Sequence, residues 1–95
     1  MDEKKALEAF HCQVFGMVQG VGFRYATQAK ARQLGVTGWV RNCDDGSVEV
    51  YAEGAAEQLQ QLIVWLRKGP PSAQVGRVHV RPVTPSGLFQ RFSIE

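Results

Sequence analysis

The sequence predicts an α+β sandwich: one antiparallel sheet with two helices on one face and a short extra strand at the C-terminus. Three observations carry this. Stretches rich in β-formers with period-two alternation and two stretches of helical spacing follow one another in the order βαββαβ. An Asp-Gly pair, the usual tight-turn dipeptide, separates the two middle strands. At 95 residues the chain has room for a single core, burying roughly 60–65% of the surface its unfolded form exposes.

Residues 1–9 are mostly polar and charged, lack turn chemistry, and read as a flexible N-terminal extension, leaving 10–95 as the folded domain. The first strand is expected over 10–18, with Phe10, Cys12 and Val14 on one face. After Gly20-Val-Gly22 a helix is expected over 23–34: Ala26, Ala29, Ala31 and Leu34 stand among good helix formers, and Gly35 ends it. Residues 36–41 and 47–53 read as a hairpin around Asn42-Cys-Asp-Asp-Gly46. The second helix, 55–68, places Ala56, Leu59, Leu62, Ile63 and Leu66 three and four apart and ends in Arg67-Lys68 before Gly69-Pro-Pro71. Strands over 75–83 and 89–94 complete the chain, with Pro82 near a strand end where its missing donor does least harm. This is the ferredoxin-like arrangement. Its helical crossover makes the first two strands run the same way, so the glycine loop and Asn42 fall at one end of the sheet.

Composition excludes several classes. Hydrophobic residues at 44% and charged ones at 21% describe an ordinary globular protein. A net charge of +2 is too small to point to nucleic acid or a membrane surface, and no apolar run reaches the roughly 18 residues of a membrane span. Met1-Asp-Glu-Lys-Lys-Ala-Leu-Glu8 has no apolar core of a leader, so a cytoplasmic protein is expected. Cys12 and Cys43 are too few for a disulfide framework, although a single bridge stays open. His11 falls on the strand face opposite Cys12 and His79 stands alone, so no metal site is expected.

A strand, a Gly-x-Gly and a helix start suit an oxyanion, because converging backbone N–H groups and the helix dipole favour negative charge. Arg24 in the helix's first turn opposes that dipole, a misfit that a bound anion would relieve through two parallel hydrogen bonds. The familiar nucleotide loops do not fit: no Gly-Lys-Ser/Thr follows Gly16, and Gly20-Val-Gly22-Phe-Arg-Tyr25 ends in tyrosine where a dinucleotide fingerprint needs glycine. A lone Gly-x-Gly is equally compatible with a tight turn and a solvated arginine.

Val14-Phe-Gly-Met-Val-Gln-Gly-Val-Gly-Phe-Arg24 and Gly38-Trp-Val-Arg-Asn-Cys-Asp-Asp-Gly-Ser-Val48 together resemble the two signature stretches of the acylphosphatases, and Gly69-Pro-Pro-Ser-Ala73 and Phe92-Ser-Ile94 fit the same pattern. The resemblance implies a ferredoxin-like fold, hydrolysis of carboxyl-phosphate anhydrides by water without a covalent intermediate, and no cofactor or metal. It implies that Gln19, Gly20, Val21, Gly22, Phe23 and Arg24 cradle the phosphoryl group, with Arg24 as bidentate ligand, and that Asn42 orients the attacking water. Expected partners are an acyl phosphate and, as product and inhibitor, inorganic phosphate; a monomer is expected, with no nucleic acid and no membrane.

The chemistry agrees with what the sequence lacks. A carboxylate leaving group, with a conjugate acid of pKa about 4, departs unprotonated, so a general acid is dispensable. Trp39 and Trp65 are expected as core or sheet-surface residues, Asp44 and Asp45 as turn residues, and Arg41, Arg77, Arg81 and Arg91 as a solvated sheet face. An RNA-binding module would need several exposed aromatics on the central strands, whereas the third strand offers only Tyr51. A carbamoyl-phosphate domain of a hydrogenase-maturation carbamoyltransferase is the other alternative; the short chain, without zinc-finger cysteines, is expected to stand apart from it.

Overall fold

A computed structural model of the protein describes residues 6–95. Its first strand, β1 (Glu8–Met17), turns Phe10, Cys12 and Val14 into the core, as the period-two pattern requires. The strand starts two residues earlier than expected, because Glu8 and Ala9 pair with Gly54 and Glu53 and Ala9 is buried. The expected extension over 1–9 is therefore shortened at its inner end, and residues 1–5 lie outside the described residues.

Helix α1 (Phe23–Leu34) has the expected bounds; Gly35, at φ 73°, returns its N–H to the carbonyls of Ala31 and Arg32. The hairpin consists of β2 (Thr37–Asn42) and β3 (Val48–Gly54). Helix α2 (Ala56–Lys68) buries Leu59, Leu62 and Leu66. These meet Phe23 and Ala31 of α1, and Val14, Val40, Val50 and Phe92 of the sheet, in one core. Each such large side chain, fully buried, stabilises the fold by about 1.5–3 kcal/mol. Strands β4 (Gln74–Val83) and β5 (Phe92–Ile94) complete a sheet in the order β4-β1-β3-β2-β5.

The sheet is mixed rather than wholly antiparallel. The pairs β1/β3, β1/β4 and β2/β3 are antiparallel, but β5 lies parallel to β2, with Gly38 opposite Phe92. The reason is the path of residues 84–91. Val83 ends β4 beside Ala9, at the same end of the sheet where β3 ends and β2 begins, since Glu53 pairs with Thr37. The chain crosses that end and sets out along β2 from β2's own start. Buried Glu53 anchors the crossing: its carboxylate accepts hydrogen bonds from Tyr51 Oη, the Ser86 N–H and hydroxyl, and the Gly87 N–H. Phe89, expected in the last strand, instead packs on Tyr51 with ring centroids 5.3 Å apart.

Both cysteines are free thiols. Burial pushes the Cys12 thiol up to about 12, against a smaller opposing pull from Arg67. No helix among the described residues is long and apolar enough to cross a membrane.

Candidate active site

Strands β1 and β2 run parallel on either side of β3, so their C-terminal ends open on one end of the sheet. There the chain leaving β1 turns through Gly20 and Gly22, at φ 75° and 78°, left-handed values that a side-chain-bearing residue adopts only at a cost of about 1–2 kcal/mol. Gly22 is the N-cap of α1. No side chain caps the helix and its first turn holds no acid, so no carboxylate of that turn answers the dipole's positive end.

A concavity of about 100 Å³ lies at this helix start, lined by Val18, Gly20, Gly22, Phe23, Arg24, Tyr25 and Asn42. Arg24 comes from the first turn of α1 and Asn42 from the end of β2. Neither side chain makes a hydrogen bond or ion pair among the described residues. Phe23, 1% exposed, fixes the first helical turn to the core and packs on Trp65 at 5.8 Å between centroids. The hollow is open to solvent on one side and small beside the groove between the helices.

Two expected loop residues do not line this space. Gln19 turns its amide to the hairpin, where Nε2 donates to the carbonyls of Cys43 (2.7 Å) and Ser47 (2.8 Å). Val21 packs against the core, and its carbonyl accepts a hydrogen bond from Ser72 Oγ at 2.7 Å. Tyr25, at the rim and 71% exposed, and Ser72, which ties the loop to the chain after α2, have no signal of their own in the sequence.

The hairpin turn is built as an Asx turn. Asp45 Oδ1 accepts from the Ser47 N–H (2.9 Å) and hydroxyl (2.6 Å), and these bonds hold its carboxyl below the usual carboxylate range. Asp44 is exposed. Trp39 lies on the outer sheet face, stacked on Tyr51, while Trp65 packs beside Phe23. Arg41, Arg77, Arg81 and Arg91 are exposed; Arg41 bonds Glu49 at 2.6 Å, and Arg77 lies over the Phe15 ring. Glu49 also pairs with His11. No group of three or more His, Cys, Asp or Glu among the described residues could hold a metal. A wider groove of about 920 Å³ runs between the helices beside Trp65, but its only ionisable groups are Lys30 and Lys68, and it offers no convergence of donors.

An uncapped helix start, an arginine and an amide around one small hollow, on a sheet with two helices, define a small α+β protein whose open end has the chemistry to suit an oxyanion. The profile of the acylphosphatase family matches residues 10–94. The acylphosphatase of Yersinia pseudotuberculosis is 54% identical over 82 residues, 85% of this chain and 88% of that one; that of Paraburkholderia xenovorans is 44% identical over 91, covering 96% and 94%. The crystal structure of the Bacillus subtilis acylphosphatase superposes with a TM-score of 0.89 at 39% identity, covering 95% of this chain and 99% of that one. The chain belongs to the acylphosphatase family, and its activity is the hydrolysis of acyl phosphates to a carboxylate and inorganic phosphate.

Proposed function

We propose that Arg24 and the N–H groups of the 20–24 loop hold the phosphoryl group of the acyl phosphate while Asn42 aligns the attacking water. The observation that carries this reading is that Arg24 and Asn42 line one concavity and neither side chain has another partner among the described residues. Water oxygen forms a bond to phosphorus as the bond from phosphorus to the carboxyl oxygen breaks, and the acyl group leaves as a carboxylate that needs no proton. An asparagine cannot take a proton at neutral pH, so the water's proton passes to a phosphate oxygen. The metaphosphate-like transition state spreads charge over equatorial oxygens, which fixed amides and a guanidinium stabilise without a metal or a covalent intermediate. The acyl group stays outside the hollow, past Tyr25. Inorganic phosphate, occupying the same cradle, inhibits competitively. The reading takes the protein to act as a monomer, and two free thiols support a reducing compartment, the cytoplasm.

The test is phosphate release from benzoyl phosphate, with para-nitrophenyl phosphate as the poor-leaving-group control and a chelator present. Arg24→Ala and Asn42→Ala each lower turnover at least about a hundredfold, the usual loss for one transition-state donor. Arg24→Ala also loses inhibition by phosphate. A folded variant of either kind with near wild-type turnover refutes the assignment.

A further inference from the structure

We infer that Gln19 is a positioning residue that sets Asn42 relative to the phosphoryl cradle, acting through the hairpin rather than on the substrate. The inference rests on the water-aligning role of Asn42. The two halves of the site come from strands that are not neighbours, because β3 lies between β1 and β2. Both ladders on β3 end at Val48, opposite Val14 on one side and Asn42 on the other. Beyond that level no strand pairing ties the loop after β1 to the turn after β2, yet this is where the cradle and Asn42 must keep their spacing.

Gln19 supplies a tie at that level, beyond the Gln13 amide that donates to Ser47 Oγ at 3.0 Å from within β1. Its single amide nitrogen spends both protons on the turn, one on the Cys43 carbonyl at 2.7 Å and one on the Ser47 carbonyl at 2.8 Å. These two peptides are already closed on each other, since the Cys43 N–H donates to the same Ser47 carbonyl at 2.8 Å. The Cys43 unit directly follows Asn42, whose own side chain has no partner among the described residues. Gln19 therefore holds the peptide that follows Asn42, the last residue of the β2 ladder, and is itself one residue ahead of Gly20 in the cradle. Losing it leaves Arg24 and the helix start in place while the amide opposite drifts.

Gln19→Met keeps the length of the side chain and removes both donors. A misplacement of the order of 1 Å between reacting groups costs up to about 100-fold, so turnover of benzoyl phosphate falls about 10- to 100-fold. The inhibition constant for inorganic phosphate stays within about twofold, because the cradle is intact. In an Asn42→Ala background the same change costs nothing further, since there is no amide left to position. Wild-type turnover in a folded Gln19→Met protein, a phosphate constant that rises in step with the loss of turnover, or additive losses with Asn42→Ala would each overturn the inference. Asn42→Ala with undiminished turnover would instead refute the water-aligning role beneath it. Gln19→Glu is the second variant: a carboxylate cannot donate to the carbonyls but a carboxylic acid can donate to one, so its turnover relative to wild type rises on acidification from about pH 7.5 to about pH 5. A flat ratio over that range also overturns the inference.

Discussion

Glu53→Gln tests how the C-terminal crossing is held. The Glu53 side chain is 1% exposed and its carboxylate accepts from Tyr51 Oη (2.5 Å), the Ser86 N–H (2.6 Å), Ser86 Oγ (2.9 Å) and the Gly87 N–H (3.3 Å). Burial pushes this carboxyl up, but the bonds from Tyr51, Ser86 and Gly87 outweigh it and hold the group below its ordinary 4.5. A glutamine keeps one acceptor oxygen, loses the charge, and brings an NH2 toward the Gly87 N–H, donor against donor. With hydrogen bonds to a charged group contributing about 1.5–3 kcal/mol, the variant is destabilised by about 2 kcal/mol at pH 7, or roughly 8–16 °C in Tm for a domain of this size. The sign with pH follows from the lowered folded pKa: the stabilisation is present above the unfolded value and is lost as pH falls through the folded one. Denaturant unfolding followed by tryptophan fluorescence should therefore show a gap between wild type and variant that is widest at neutral pH and closes in acid. Glu49 and Asp45, also held below their usual range, make both proteins acid-sensitive, so the difference between the two isolates Glu53. A gap unchanged between pH 7 and acid, or one below about 0.5 kcal/mol at pH 7, refutes the reasoning.

Gly38→Ala meets an obstacle rather than a lost contact: at φ +137° a Cβ would lie 1.9 Å from the Tyr51 carbonyl oxygen, so β2 and β3 must part. A loss of at least about 3 kcal/mol is expected, seen as a Tm lowered by at least ~10 °C. Ellman titration of the native protein is expected to show one accessible thiol, removed by Cys43→Ser, because Cys12 is fully buried with its thiol pushed up to about 12; two thiols react in denaturant. Two fast-reacting thiols in the folded protein would contradict that packing.

Most elements are legible in the chain because their causes are local. Gly22 and Gly35 bracket α1, leucines three and four apart define α2, and Asp45-Gly46 closes the hairpin. Arg24 is conspicuous because a cation at a helix start works against the dipole. Glu53 gives no such signal: alternation with Val48, Val50 and Ala52 puts it on the outer face, where a glutamate reads as solvated, and only the later crossing of residues 84–91 buries it. The same crossing sets the direction of β5, for which the sequence carries no signal, since strand direction depends on which end of the sheet the chain reaches. Nothing local in the sequence shows where the Gln19 amide turns, because the carbonyls it meets, those of Cys43 and Ser47, lie far along the chain.

By itself the sequence determined the elements, the family and the two side chains at the sheet's open end, because periodicity, turn chemistry and motif spacing act over a few residues. The tertiary structure decided which residues share the hollow with those side chains, which carboxylate is buried, and how the loop after β1 is bonded to the hairpin turn. Those depend on register across strands that are not adjacent, and on a chain that returns over the sheet only after both halves are made.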